Sequence, residues 1–155
     1  QAGLAVGRDI SVIGYGNTLR GDDGAGVIAA GRAHDLVEGV DVVTAHQLQP
    51  EHAETVAGHR CVVFVDASVR RHTLGVTQIG PLERPSHGST HTLSPTGLLA
   101  LAQEVFGETP ERSLLLEIPA LSMEFGDGLT PETSACVEEA LLRIRHEAEL
   151  FLDRV

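Results

Sequence analysis

The stretch VIGYGNTLRGDDGAGVIAA, residues 12–30, limits the possible folds more than any other part of the chain. An apolar run leads into a turn carrying Gly14, Gly16 and Gly21, and then into an Ala- and Gly-rich segment. Apolar runs without polar alternation suit strands buried on both faces, as in parallel sheets. A strand, a glycine turn and a helix in this order open an α/β fold. Such a turn often holds a phosphate against the helix N-terminus. Here Asp22 and Asp23 stand at the helix mouth, where two carboxylates would repel one. The spacing also departs from G-x-G-x-x-G, because Leu19 stands where the third glycine should be.

The remaining segments continue the pattern. DISVIGY (9–15) reads as a central strand, followed by a helix from about Asp23 to Ala33. GVDVVTA (39–45) is a second strand, and PEHAETVA (50–57) opens a helix with Pro50 at its start and acids in its first turn. RCVVFVDA (60–67) is the strongest strand and ends on Asp66. TLGVTQIG (73–80) alternates as an edge strand does, and residues 81–94 read as a polar loop. SPTGLLALAQEVFG (94–107) carries an N-cap serine, a first-turn proline and a C-cap glycine. SLLLEIP (113–119) is a last strand, and from Thr130 onward a long amphipathic helix follows, with Thr130 as its cap. The expected fold is α/β: a three-layer sandwich whose mostly parallel, twisted sheet of about five strands is flanked by helices. Residues 1–155 read as a single domain.

Composition excludes several functions. The net charge of −11 argues against a nucleic-acid partner, which needs basic side chains to neutralise phosphates. There is no lysine, which removes the phosphate-binding lysine of a P-loop and any Schiff-base chemistry. Cys61 and Cys136 form no C-x-x-C and read as reduced, buried thiols. No apolar stretch is long enough for a membrane span, so the expectation is a cytoplasmic protein with no membrane partner. Neither a G-x-S-x-G elbow nor an H-E-x-x-H is present.

Ligands of open α/β sheets bind outside the carboxyl ends of the strands, near the point where strand order reverses. Asp22 and Asp23, Asp66 and His91 all fall in segments that reach this rim. Two carboxylates and an imidazole make an N/O donor set for a divalent transition metal. Each has a simpler role open to it. One of Asp22 and Asp23 is expected to cap the helix. Asp66 can serve a turn, His91 can be solvated, and Asn17 either fills a left-handed position or holds the turn against a ligand.

GYGNTLRGDDGAG resembles the N-terminal signature of the hydrogenase maturation proteases, G-x-G-N-x-L-x-x-D-[DE]-x-x-G. HQLQPEHAE (46–54), VVFVDA (62–67), THTLSPTGLLALA (90–102) and EFGDGLTP (124–131) resemble later blocks of that family in the same order. The resemblance implies an endopeptidase that removes the C-terminal extension of a [NiFe]-hydrogenase large-subunit precursor once nickel is in place. It puts the metal-binding positions on Asp23, Asp66 and His91, with Asp23 and Asp66 as the catalytic carboxylates. Asn17 and His46 are then substrate-contact or supporting residues. Nickel would arrive with the substrate, zinc or cadmium could take its place in vitro, and the protease would be a monomer. Two other readings use the same residues: a nickel-sensing chaperone that does not cleave, and a metal-dependent hydrolase of another substrate.

Overall fold

The computed structural model describes residues 9–82, 93–126 and 128–152. Five strands form one sheet: β1 (Ile10–Tyr15), β2 (Val40–Ala45), β3 (Cys61–Ser68), β4 (Gly75–Gln78) and β5 (Arg112–Pro119). Their spatial order is β2-β1-β3-β5-β4, parallel throughout except for β4, which pairs antiparallel with β5 at the edge. The helices are α1 (Ala25–Leu36), α2 (His52–Ala57), α3 (Pro95–Phe106) and α4 (Pro131–Leu152). The three-layer α/β expectation is met.

Alternation along the central strands explains the layers. In β3, Cys61, Val63 and Val65 pack with α1 and α4 residues such as Ala29, Ala33 and Ile144. Val62 and Phe64 point the other way, onto Val56 of α2 and Leu98 and Leu99 of α3. With both faces covered, β3 is fully buried from Cys61 to Val65, which is why it reads as an unbroken apolar run. Two helix ends follow their sequence signals. Ser94 accepts a hydrogen bond from the Gly97 N–H at 3.1 Å, and Gly107 closes α3 in the left-handed region at φ 73°.

The start of α1 differs from expectation. A 3-10 turn, Gly21–Gly24, precedes the helix, and neither aspartate caps it. Asp22 and Asp23 instead bond elsewhere, leaving the α-helix to begin at Ala25. The alternating segment 73–80 shortens to four paired residues because only Gly75–Gln78 reach β5.

Candidate functional site

Glycines bring the first helix down onto the carboxyl ends of β1 and β3. A Cβ at Gly26 would lie 2.3 Å from the Val65 carbonyl oxygen and 2.9 Å from that of Tyr15. A Cβ at Gly14 would lie 2.1 Å from the Gly26 carbonyl oxygen. Real side chains do not fit in such gaps, so this close approach of helix to sheet requires glycine. It sets the 3-10 turn at the crevice between β1 and β3, where the chain departs toward β2 on one side and β3 lies on the other.

The two adjacent aspartates do different work. Asp22 is fully buried and accepts from the Leu121 N–H (2.8 Å), the Ser122 N–H (3.0 Å), the Thr130 N–H (2.8 Å) and the Thr130 hydroxyl (2.9 Å). Burial alone would raise its pKa, but these four donors outweigh it and hold the carboxyl below its ordinary range. Asp22 thus ties the 3-10 turn to the loop after β5 and to Thr130. That threonine in turn caps α4 by accepting the Thr133 N–H at 3.4 Å. Backbone bonds from Gly21 to Gly126 (2.9 Å) and from Asp22 to Ser122 (2.8 Å) complete the clasp.

Asp23 faces the rim. Its Oδ2 accepts the Asn17 N–H at 2.9 Å, and the Asn17 side-chain oxygen accepts the Leu19 N–H at 2.9 Å. Asn17 is therefore a turn-former with negative φ, and the left-handed role considered for it is ruled out, because no described residue other than glycine has positive φ. Gly16 does take positive φ, at 142°, with room for no side chain beside the Asp23 carbonyl oxygen.

Asp66 lies across from Asp23, near enough for the two charges to interact. Burial pushes its carboxyl up to about 6, and the Asp23 and Glu117 charges push the same way. The Ala67 N–H, 2.8 Å from Oδ1, and the Tyr15 hydroxyl pull against them. Tyr15 reaches Asp66 because Gly14 pairs with Val65, so the next residue of each strand emerges side by side. Burial and the Asp66 charge together raise the Tyr15 hydroxyl well above its usual pKa, keeping it a donor. Glu117, opposite Asp66 in register, is paired with Arg71 at 3.0 Å.

A cavity of about 360 Å³ opens at this point, lined by Asn17, Arg20, Asp23, His46 and Met123. Arg20 is anchored there by its Nε bond to the Met123 carbonyl (3.1 Å) and lies 5.4 Å from the Phe125 ring centre. The structure thus brings Asn17, Asp23 and His46 into one cavity and sets Asp66 beside Asp23. His91 lies outside the described residues, and among the described residues no three His, Cys, Asp or Glu side chains cluster as a metal site. Sequence reasoning missed Tyr15, Arg20, Met123 and Glu117. Tyr15 and Glu117 share one signal, the parallel register that sets each beside Asp66.

Away from this rim, Cys61 is buried at the amino end of β3, and burial pushes its thiol up to about 12. It is inert there, as expected. No helix among the described residues is long and apolar enough to cross a membrane.

Neither protein-family profiles nor curated sequences give a match. Solved structures do. The hydrogenase maturating endopeptidase HybD from E. coli matches with a TM-score of 0.67 and 26% identity, over 87% of this chain and 88% of that one. In fold this chain is similar to the hydrogenase maturation proteases. The [NiFe] hydrogenase maturation protease HycI from Thermococcus kodakarensis shares the fold at a TM-score of 0.68 and 22% identity, over 94% of this chain and 95% of that one. A hydrogenase 2 maturation peptidase from a Thaumarchaeota archaeon does so at 0.67 and 20%, over 92% and 99%. In this chain the stretch GYGNTLRGDDGAG has a physical content. Its glycines seat the helix, its first aspartate ties the turn to the loop after β5, and its second lines the cavity.

Proposed function

We propose that this protease removes the C-terminal extension of a [NiFe]-hydrogenase large-subunit precursor after nickel insertion, docking through the nickel that the substrate carries. The observation that carries the reading is the convergence of Asp23 and Asp66 at the crevice between β1 and β3, beside a cavity open to a peptide. Among the described residues, no hydrogen bond engages Oδ1 of Asp23, the oxygen not taken by Asn17. Carboxylate oxygens and an imidazole suit a divalent ion of this series. His91, placed by the motif, would supply the imidazole. A contact with the loaded metal converts nickel insertion into correct placement of the scissile bond, which is specificity by assembly of the site.

Asp66 is the carboxylate suited to proton transfer, since an acid titrating near 6 is a competent base at neutral pH. In this scheme a water oxygen attacks the scissile carbonyl carbon and its proton passes to Asp66. The same proton then goes to the departing amine nitrogen as the C–N bond breaks. Backbone N–H groups of the 16–21 turn and Asn17 would steady the carbonyl oxygen. The acidic surface is compatible with a protein substrate that is not a nucleic acid.

The test is to incubate the protein with nickel-loaded and nickel-free precursor and follow release of the C-terminal peptide by mass spectrometry. Cleavage of the loaded form alone is expected. Equal cleavage of both forms removes the nickel gate, and cleavage of neither removes the proteolytic reading in favour of a chaperone. Asp66→Ala and His91→Ala should each abolish processing with the fold intact by circular dichroism; normal processing by both would mean the site is elsewhere.

A further inference from the structure

One guanidinium, that of Arg20, lines the cavity beside Asn17, Asp23, His46 and Met123. In a chain of 22 acidic residues and 11 arginines, the ordinary place for such a group is against a carboxylate. Arg32, Arg60, Arg71, Arg112 and Arg143 are all paired in this way. Arg20 forms no ion pair among the described residues, although Asp23 lines the same cavity. Its Nε–H is given to the Met123 carbonyl at 3.1 Å, and the Phe125 ring lies under the guanidinium carbon at 5.4 Å. These two contacts fix the plane of the group. They leave its Nη hydrogens without an acceptor among the described residues. A planar cation held in this way gives up no carboxylate partner when it binds an anionic oxygen.

The neighbouring turn has little to offer such an oxygen. The Gly16 N–H goes to the Ala45 carbonyl (3.1 Å), that of Arg20 to the Asn17 carbonyl (3.1 Å), and that of Gly21 to the Gly126 carbonyl (2.9 Å). The Asn17 and Leu19 N–H groups are taken by the Asp23 and Asn17 side chains, each at 2.9 Å. Among residues 16–21, the Thr18 N–H and the Asn17 amide nitrogen remain, and both are neutral donors. A charged donor makes a hydrogen bond roughly twice as strong.

We propose that Arg20 is a catalytic residue of the hydrolysis, donating through its Nη hydrogens to the oxygen of the scissile carbonyl as negative charge develops there. The inference rests on the proteolytic reading above. As the water oxygen bonds to the carbonyl carbon, the C=O π pair moves onto the carbonyl oxygen and the water proton passes to Asp66. When the C–N bond breaks, its electron pair leaves on nitrogen, which takes the proton from Asp66, and the oxyanion pair restores the C=O bond. The acid so formed gives its remaining proton to the freed amine. Full charge stands on the carbonyl oxygen only between these steps, so a cation aimed at it favours the transition state over the bound substrate. The cavity is thus divided by charge, with Asp23 set for a metal cation and Arg20 for an oxyanion. An ion pair between the two would quench both, and the bond to Met123 holds Arg20 in place without one.

The experiment uses the full chain in excess over nickel-loaded precursor, so that single-turnover cleavage gives a saturated rate and a half-saturating concentration. Arg20→Ala should lower the saturated rate roughly a hundredfold while the half-saturating concentration changes by less than about threefold. Millimolar guanidinium should restore part of the Arg20→Ala rate, and sodium at the same concentration should restore none. Arg70→Ala, which removes an exposed cation just after β3, should change neither quantity. The assignment is overturned if Arg20→Ala cleaves at the native saturated rate. It is overturned equally if the Arg20→Ala rate does not respond to guanidinium, or if Arg70→Ala slows cleavage as much as Arg20→Ala does. Failure of the unaltered protein to cleave the native precursor is a separate outcome and overturns the proteolytic reading instead.

Discussion

Asp22 and Thr130 are joined by two hydrogen bonds across 108 residues of chain, from the Thr130 N–H to Oδ1 at 2.8 Å and from its hydroxyl to Oδ2 at 2.9 Å. This pair fastens the turn that carries Asp23 to the N-terminus of α4, so the cavity wall and the last helix are held by one carboxylate.

Asp22→Ala is expected to cost about 3 kcal/mol or more, because it leaves several buried donors without an acceptor. The pH dependence has a definite sign. The folded pKa lies below the ordinary 3.8, so the contribution of Asp22 is complete above that value and is lost as pH falls through the lower one. Urea denaturation of both proteins at pH 7 and pH 3 checks this, with the stability gap expected to narrow in acid.

Asp66 has the opposite sign. Its folded pKa of about 6 exceeds the ordinary 3.8, so the fold holds this proton more tightly than the unfolded chain does. Its contribution to stability is present below 3.8 and is lost as pH rises through 6. In the metal-free protein, Asp66→Asn should therefore gain roughly 2 kcal/mol at pH 8 and little at pH 4, while processing is lost. Thermal unfolding across this range and the peptide-release assay are the measurements.

Tyr15→Phe removes a donor that lowers the Asp66 pKa. The carboxyl should then titrate higher, and the acid limb of the pH–activity profile should move up by roughly half a pH unit. An unchanged limb, with Asp66 still titrating as before by carboxyl NMR, would mean that the hydroxyl does not tune this group.

Gly26→Ala puts a methyl group into the 2.3 Å gap before the Val65 carbonyl oxygen. The helix must lift from the sheet, at a cost of about 3 kcal/mol, and Asp23 must move away from Asp66. Loss of processing greater than the loss of folded protein at the assay temperature is expected. Gly31→Ala is the control, since nothing lies within 4 Å of its added Cβ.

Much of this was legible in the sequence. β1, β3 and β5 could be read because both faces are buried, and Ser94, Gly107 and Thr130 mark helix ends by local chemistry. The convergence of Asp23 and Asp66 followed from strand order and register, which short-range pattern and connection rules constrain. The role of Asp22 was not legible. A carboxylate at a helix mouth reads as a cap, and its true partners, Leu121, Ser122 and Thr130, lie about a hundred residues away. Arg20 and Met123 were missed for the same reason: the bond between them spans 103 residues, and nothing local marks either end.

The reach of Asp22 also bears on when the molecule becomes competent. The turn holding Asp23 is made about a hundred residues before its supports at residues 121–130. A chain emerging from the ribosome with β1, α1 and β3 in place still lacks the wall formed by Met123 and the clasp formed by Thr130. Non-local contacts of this kind form late, after the loop-closure entropy has been met. Assembly of the cavity is in this way deferred until residues 121–130 have been made and have closed onto the turn.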